Sequence, residues 1–315
     1  MNCDKCGRKA VTFIRYSGRH LCRDHFRDFF VKRVKNELRR ELGRAKGKEH
    51  IVAGVSGGKD SMVMLYLLHE IYHKHSNFHL TALTIDEGID GYRPSSLGKV
   101  EKLCDELDIP WEFVKFEDYG GIPMDIVVKN RKEKTPCAIC GIFRRNCLNR
   151  AAKGLGATRM STGLNLDDTA QTILMNVTRG DVKRLTRLGP HRIVKPGLIP
   201  RIQPLREIPE KESYLFALLE GIDFHTGECP YAGEAQRNIY RHIIEELEEK
   251  TPGTRHAILR FYDQLEEPLR LVAENMQNVN RCKVCGEPTS GKVCKTCQTI
   301  QELQERFAEM ERQGK

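Results

Sequence analysis

The stretch "HIVAGVSGGKDSMVMLYLLHEIYHKH" (50–75) constrains this chain more than any other. Residues 50–56 have the apolar character of a buried strand, and residues 60–75 carry apolar positions at helical spacing. Only a glycine turn, "GVSGGKDS" (54–61), joins them. The pattern recurs. "HLTALTID" (79–86), "WEFVKF" (111–116) and "TRMSTGL" (158–164) read as further strands. "SSLGKVEKLCDEL" (95–107), "GIFRRNCLNRAAKGLG" (141–156) and "LDDTAQTILMNVTRG" (166–180) read as helices. Strands alternating with helices predict an α/β fold with a parallel sheet covered on both faces. Right-handed crossovers leave a ligand crevice at the carboxyl ends of the strands.

The turn has the chemistry of a phosphate cradle. Gly57 and Gly58 let backbone N–H groups close around phosphate oxygens, and the helix N-terminus adds a favourable dipole. Lys59 supplies a point charge, and Ser56 and Ser61 supply hydroxyl donors. Asp60 would be repelled by a bare polyphosphate, but it is well placed to hold a magnesium ion (Mg2+) that bridges the phosphates. The P-loop of kinases and GTPases is excluded. That motif needs glycine where Ala53 stands, and Ser or Thr where Asp60 stands. The S-G-G-K-D-S pattern instead resembles the PP-loop of ATP pyrophosphatases, an adenine nucleotide alpha hydrolase-like fold. The resemblance implies cleavage of ATP between the α and β phosphates, adenylation of a substrate and release of pyrophosphate. It makes Lys59 and Asp60 catalytic, and Ala53, Val55, Ser56, Gly57, Gly58 and Ser61 part of the ATP site.

Two other segments fit the same site. In "LTIDEGI" (83–89), backbone groups around Leu83 and Ile85 could read adenine. In "GLNLDDTAQT" (163–172), Gly163 allows close approach, and Asp167 and Asp168 open a helix whose N-terminus they can also simply cap. PP-loop tRNA-modifying enzymes carry a similar G-[HL]-x-x-D-D-x-A pattern here. Leu164 stands where many of them have His, so no catalytic role is carried to it. Asp168 is the choice for magnesium or nucleotide contact.

Twelve cysteines in a chain with no apolar run after Met1 point to metal or redox chemistry, not to a disulfide framework. Cys3 and Cys6 form a C-x2-C knuckle, and Cys22 and His25 form a C-x2-H knuckle; together they predict a zinc site. Cys282, Cys285, Cys294 and Cys297 have zinc-ribbon spacing and predict a second. The first fifty residues hold 15 Lys/Arg against 6 Asp/Glu, which is the whole of the net charge of +9. So basic an end suggests a polyanion partner such as nucleic acid. Its helix, Phe26 to about Lys46, is expected to keep a basic face in water. "TRGDVKRLTRLGPHR" (178–192) is a second basic run that could line a path for RNA.

Five cysteines remain. Cys104 reads as core, and Cys147, seven residues after Cys140 on a predicted helix, reads as packing. Cys137 and Cys140 in "TPCAICG" and Cys229 in "TGECPYAGEAQR" sit in proline- or glycine-marked turns, where ligands and activated thiols belong. Three thiolates can anchor a 4Fe-4S cluster and leave one iron without a protein ligand. A persulfide and disulfide pair of Cys140 and Cys229 is the alternative, and a third zinc site would lack its fourth ligand.

The two zinc modules, the PP-loop, "PCAIC" and the later "GECPY" occur in an order that resembles the TtuA group of tRNA 2-thiolation enzymes over nearly the whole chain. The resemblance implies 2-thiolation of uridine or ribothymidine at position 54 of tRNA. It implies a 4Fe-4S cluster on Cys137, Cys140 and Cys229, two zinc ions, and a ubiquitin-like sulfur donor bearing a thiocarboxylate. In the implied reaction AMP is transferred to the uracil C2 oxygen, sulfur replaces it at C2, and AMP departs. Lys59 would stabilise the leaving pyrophosphate while Asp60 and Asp168 position magnesium. Arg144 and Arg145 are candidates for phosphate of ATP or tRNA. A sister group that thiolates the wobble uridine at position 34 shares the layout.

The expected domains are a zinc finger (1–27), a basic linker helix (28–48), the PP-loop domain (49–204), a helical extension carrying Cys229 (205–278), a zinc ribbon (279–300) and a polar tail (301–315). The longest apolar run, "MVMLYLL" (62–68), is too short to span a membrane, so a cytoplasmic protein is expected, and a homodimer is the default assembly. Lys, Arg and Glu dominate a charged fraction of 30%, a tilt common in hyperthermophiles. Two other classes compete. Amide-forming ATP pyrophosphatases, as in lysidine or GMP synthesis, need no three-thiol site. A zinc-finger nucleic-acid binder with a vestigial nucleotide fold would not need an intact S-G-G-K-D-S.

Overall fold

The computed structural model describes residues 1–43, 47–131, 134–190, 197–234, 236–276 and 280–313. The chain opens with an antiparallel hairpin, β1 (Thr12–Ile14) and β2 (Arg19–Leu21), followed by α1 (Arg23–Leu42). The α/β body then runs β3 (Glu49–Gly54), α2 (Lys59–Tyr72), β4 (Phe78–Asp86), α3 (Arg93–Leu107), β5 (Trp111–Lys115), α4 (Met124–Asn130), α5 (Pro136–Gly154), β6 (Arg159–Thr162), α6 (Leu166–Thr178), α7 (Val182–Leu185), β7 (Arg201–Ile202) and α8 (Glu210–Glu220). Three helices follow, α9 (Arg237–Lys250), α10 (Thr254–Gln264) and α11 (Glu266–Met276). The chain closes with a small hairpin, β8 (Asn280–Arg281) and β9 (Pro288–Thr289), and α12 (Lys295–Gln313).

The five body strands form one parallel sheet in the order β5-β4-β3-β6-β7. After β3 the chain winds outward to β4 and β5. It then returns to place β6 on the other side of β3. The order therefore reverses between β3 and β6, and the carboxyl ends of these two strands bound the crevice where such folds bind ligands. Gly54 pairs with Leu83 on one side and Thr162 on the other, which sets the loop after β3 at that reversal.

Each face of the sheet has its own core. Phe26, Phe30 and Val34 of α1, Met62, Leu65 and Leu68 of α2, Val100 of α3 and Phe216 of α8 pack on one face. Phe30 stacks on Phe216 with ring centroids 4.3 Å apart, which joins α1 to α8. On the opposite face lie Met124 and Val127 of α4, Ile139, Phe143 and Cys147 of α5, and Leu303 of α12. Cys104 is buried on the first face, as its pattern suggests. No helix among the described residues is long and apolar enough to cross a membrane.

Several expectations need correction. α5 begins at Pro136 rather than Gly141, because Thr135 is extended and Pro136 occupies the first turn, where a missing N–H costs nothing. Cys137 and Cys140 are therefore on the helix, not in a turn ahead of it. The long helix read from Ala235 to Asn278 is three helices in the described residues, broken near Gly253 (φ +98°) and at Leu265; Ala235, Gln277 and Asn278 lie outside those residues. α1 ends at Leu42; Arg44, Ala45 and Lys46 of the predicted helix lie outside the described residues, as do His191 and Arg192 of the second basic run. The basic face of α1 is only partly left to water: Lys32 and Arg39 are exposed, but three arginines are paired with acids. Arg27 pairs with Glu70 and Glu220, Arg33 with Glu212, and Arg40 with Glu37 and Asp263. Three of the fifteen N-terminal cations thus tie α1 to the body through ion pairs.

Candidate active site

The phosphate loop is held open by local bonds. Val55 N donates to Leu83 O at 2.8 Å, and Thr84 Oγ1 donates to Val55 O at 2.8 Å. Val55 and Ala53 are buried in the core. Val55 has both backbone groups engaged in the sheet, so it shapes the loop rather than offering contacts. Ser61 Oγ donates to Gly58 O at 2.8 Å and accepts from Ser56 N at 3.1 Å, so this hydroxyl tightens the turn. Gly57 has φ +84°, and a Cβ there would lie 2.5 Å from Ser96 O. Gly58 is the N-cap of α2, so the loop N–H groups sit at a helix N-terminus.

Lys59 and Asp60 follow in the first turn of α2. Lys59 Nζ donates to Glu210 Oε1 at 2.7 Å and to Asp60 Oδ2 at 3.0 Å. Burial works against the charged form of Glu210, yet Lys59, Arg241 and Arg255 hold its carboxyl below the usual range. Asp60 Oδ2 also accepts from Asn165 Nδ2 at 3.2 Å, while Asp60 Oδ1 is buried with no partner. Burial raises the Asp60 carboxyl above its usual range in spite of Lys59.

Asp168 lies across the crevice in the first turn of α6. It completes a capping box with Asn165 and accepts from Arg237 Nη1 at 2.8 Å. Burial raises Asp168 as well, with a further push from Asp60, so the two carboxylates feel each other. Asp167 faces away from them. It binds Arg255 at 2.6 Å and Glu210 N at 2.7 Å, and so ties α6 to α10 and α8. Gly163 does allow a close approach, but of protein backbone. A Cβ there would lie 2.9 Å from Ser61 N and from Asp60 C. Leu83 and Ile85 are interior to β4, and the ladder to β3 ends at the Gly54–Leu83 pair. Leu164 is partly exposed beside the crevice.

The thiols stand at the same edge of the sheet. Cys137 and Cys140 are three residues apart on the first turns of α5, so they share a face. Cys229 lies in the loop between α8 and α9, and its charge raises both of their thiols after burial has done so. Cys137 Sγ is 3.7 Å from Tyr231 O in that loop. Arg144 Nη2 lies 3.3 Å from Cys140 Sγ and 2.8 Å from Glu87 Oε1, a cation poised to favour a thiolate. Glu87, only 1% exposed, also binds Arg93, whose Nη1 donates to Ser56 O at 3.1 Å. Cys147 is buried in the core, and burial pushes its thiol up to about 12, so it stays with packing.

The loop carrying Cys229 is also joined to the phosphate loop. His225 N donates to Gly57 O at 2.9 Å, and Gly58 bridges His225 as a parallel β-pair. Sequence reasoning missed Glu87, Arg93, Asn165, Glu210, His225 and Arg237. Glu210, His225 and Arg237 meet their partners only through the fold, whereas Asn165 caps α6 locally and Glu87 pairs with Arg93 six residues on.

Among the described residues, two groups of four ligands close to within 4.8 Å, Cys3/Cys6/Cys22/His25 and Cys282/Cys285/Cys294/Cys297. Cys6 and Cys22 sulfurs are 3.7 Å apart, and Cys285 and Cys294 sulfurs 3.6 Å. A tetrahedral ion with metal–sulfur bonds of about 2.3 Å separates two sulfurs by roughly 3.8 Å, so both sets fit one. Cys137, Cys140 and Cys229 form no such compact group. Three thiols set wider than the ligands of a single ion, one of them exposed, fit a larger cluster with one open corner better than a third mononuclear site.

A PP-loop domain family matches residues 30–247, and the 2-thiouridine synthetase TtuA N-terminal LIM domain family matches residues 2–27. The tRNA 2-thiolation protein NcsA of Haloferax volcanii is 42% identical, covering 96% of this chain and 99% of that protein. The tRNA-5-methyluridine(54) 2-sulfurtransferase of Pyrococcus horikoshii is 32% identical over 94% of this chain and 93% of its own. The structure of the U34-tRNA thiolase NcsA of Methanococcus maripaludis, solved with its 4Fe-4S cluster, superposes with a TM-score of 0.83 at 35% identity and covers 96% of both chains. With the phosphate loop, the three-thiol edge and the two four-ligand modules in this order, the chain belongs to the PP-loop family of tRNA 2-thiolation proteins.

Proposed function

We propose that this protein is an ATP-dependent tRNA 2-thiolase of the cytoplasm, acting on the C2 oxygen of a uridine. One observation carries the reading: a phosphate loop and a three-thiol set share one edge of the sheet and are linked through the Gly57–His225 bond. An amide-forming ATP pyrophosphatase has no use for those thiols.

The loop N–H groups and Lys59 receive the β and γ phosphates, and Lys59 leaves Glu210 to do so. Asp60, with its unpartnered Oδ1, and Asp168 hold Mg2+, which suits one or two buried carboxylates completed by phosphate oxygens. The uracil C2 oxygen attacks the α phosphorus, the bond to pyrophosphate breaks, and C2 gains an AMP leaving group. Sulfide then forms the new C2–S bond as the C2–O bond breaks and AMP departs. Cys137, Cys140 and Cys229 would hold a 4Fe-4S cluster, which supplies bound sulfide at an iron without a protein ligand. Arg144 steadies the charge at Cys140. The two four-ligand modules hold zinc. The expected sulfur donor is a thiocarboxylated ubiquitin-like protein, and the expected assembly is a homodimer.

Position 54 is what the family resemblance implies, and the Pyrococcus horikoshii relative at 32% identity is named for it. The wobble position 34 is the second reading, favoured by the likeness to a thiolase named for that position.

The test is anaerobic purification with iron and labile-sulfide analysis, followed by incubation with ATP, Mg2+, sulfide and tRNA. About four irons per chain are expected, lost in Cys137→Ala, Cys140→Ala and Cys229→Ala. AMP and pyrophosphate should appear with one 2-thiouridine, and mapping by mass spectrometry decides between positions 54 and 34. Release of ADP, or an unmodified tRNA despite a loaded cluster, would sink the proposal.

A further inference from the structure

Arginines near the site are mostly paired. Arg144 binds Glu87, Arg237 binds Asp168, Arg184 binds Asp181, and Arg206 binds Asp263. Arg145 and Arg201 differ: among the described residues, neither guanidinium has a carboxylate, a carbonyl or any other acceptor.

The fold brings these two together. Asn149, one turn after Arg145 on α5, accepts from Ile199 N at 3.0 Å and donates to Gly197 O at 3.2 Å. The segment leading into β7 therefore runs beside α5. From Asn149 back to Arg145 is about 6 Å along the helix, and from Ile199 on to Arg201 is about 6.6 Å along an extended chain. α5 runs antiparallel to the strands, so both steps lead towards the carboxyl edge where the thiols stand. Arg201 pairs with Met160 at the start of β7, half-buried. Burial and then the Arg145 charge push Arg201 down to about 10, and burial followed by Arg144 and Arg184 lowers Arg145. Two like charges near one another, Arg201 half-buried and Arg145 exposed, with no carboxylate paired to either among the described residues, cost stability. An anion arriving from outside removes that cost.

We propose that Arg145 and Arg201 form a subsite for a backbone phosphodiester of the substrate RNA, which anchors the nucleotide whose base enters the sulfur site. The subsite rests on the tRNA 2-thiolation reading. The nucleotide triphosphate is a poorer fit, because its cradle lies at the N-terminus of α2, and α2 and α5 cover opposite faces of the sheet. A phosphodiester also suits the guanidinium fork.

The experiment uses the full chain purified without oxygen, with tRNA affinity measured by anisotropy across a salt series. ATP affinity and thermal midpoints are measured in parallel. Arg145→Gln and Arg201→Gln should each weaken tRNA binding by roughly tenfold and lower the slope of log affinity against log salt by about 1. Arg145→Lys and Arg201→Lys should keep most of the slope. ATP affinity should not change. Both Gln variants should melt at a higher temperature than the parent, a result that a merely structural arginine would not give. A parent that binds tRNA beside Gln variants with unchanged affinity and slope overturns the subsite alone. A fall in ATP affinity with the tRNA slope intact gives the pair to the nucleotide and also overturns it. Lower melting in both Gln variants removes the premise of unrelieved repulsion. A parent that binds no tRNA overturns the 2-thiolation reading, and the subsite with it.

Discussion

At the scale of single residues the site is a set of close approaches. Gly163 faces the first turn of α2 with no room for a side chain, since a Cβ would lie 2.9 Å from Asp60 C, Ser61 N and Ser61 Cα. Those are backbone atoms, so they yield only if the turn moves. Gly163→Ala is expected to cost about 1–3 kcal/mol of stability and to raise the ATP concentration needed for half-maximal AMP release. Thermal melting and an ATP titration check this; an alanine variant with the parent's ATP response would show that the close approach is dispensable. Such residues divide by how far their partners lie along the chain. Ser56, Gly58, Lys59, Asp60 and Ser61 act within one short turn, and their chemistry is readable from that turn. Glu210 reaches Lys59 across 151 residues and Arg237 reaches Asp168 across 69. No spacing rule connects positions so far apart, and both are charged residues of ordinary appearance in their own segments.

At the scale of elements, periodicity locates the body strands and helices and fails where an element is short or its cover is distant. β7 has two residues, too few for any period. α12 looks like a polar tail in sequence, and only the fold gives its apolar stripe a partner. Ile300, Leu303 and Phe307 pack into the core that also contains Ile139 and Cys140. Lys134 and Glu302 pair beside them. The helix leaving the C-terminal four-cysteine module thus braces the start of α5, where Cys137 and Cys140 stand. Leu303→Ala is expected to destabilise the protein by about 2–5 kcal/mol and to lower the iron retained through gel filtration. Iron retention equal to the parent's in a variant that melts earlier would separate the brace from the thiol site.

At the scale of the molecule, the N-terminal module is keyed to the helical extension through Tyr16 and His256. Their rings lie 4.3 Å apart around a polar cavity of about 350 Å³ lined also by Arg33, Glu207 and Arg260. Burial, then Arg33 and Arg260, hold His256 down to about 4. A histidine depressed in the folded state contributes stability that is fully present above its unfolded value near 6.5 and is lost as pH falls towards 4. The loss is up to roughly 3 kcal/mol, less whatever water relieves in a half-buried ring. Denaturant melts of the parent and of His256→Phe between pH 7 and 4.5 check it: the variant should lose less stability over that range, and parallel losses would clear His256 of the role. Charge is the property that sequence represents least well at this scale. The basic N-terminus suggests a surface for RNA, yet Arg27, Arg33 and Arg40 reach inward to acids of the body. A count of charges carries no direction, and direction decides whether an arginine is a clasp or a landing place. The bond from His225 to Gly57 has a similar consequence for timing. The residue four places before Cys229 is a strand partner of the phosphate loop, so neither loop shifts without pulling the other. A nucleotide that stills the first loop also sets the third thiol, and by reciprocity a settled thiol set steadies the place where the nucleotide lands. On the proposed reading, fuel and sulfur would share one latch, each raising the other's hold on the site.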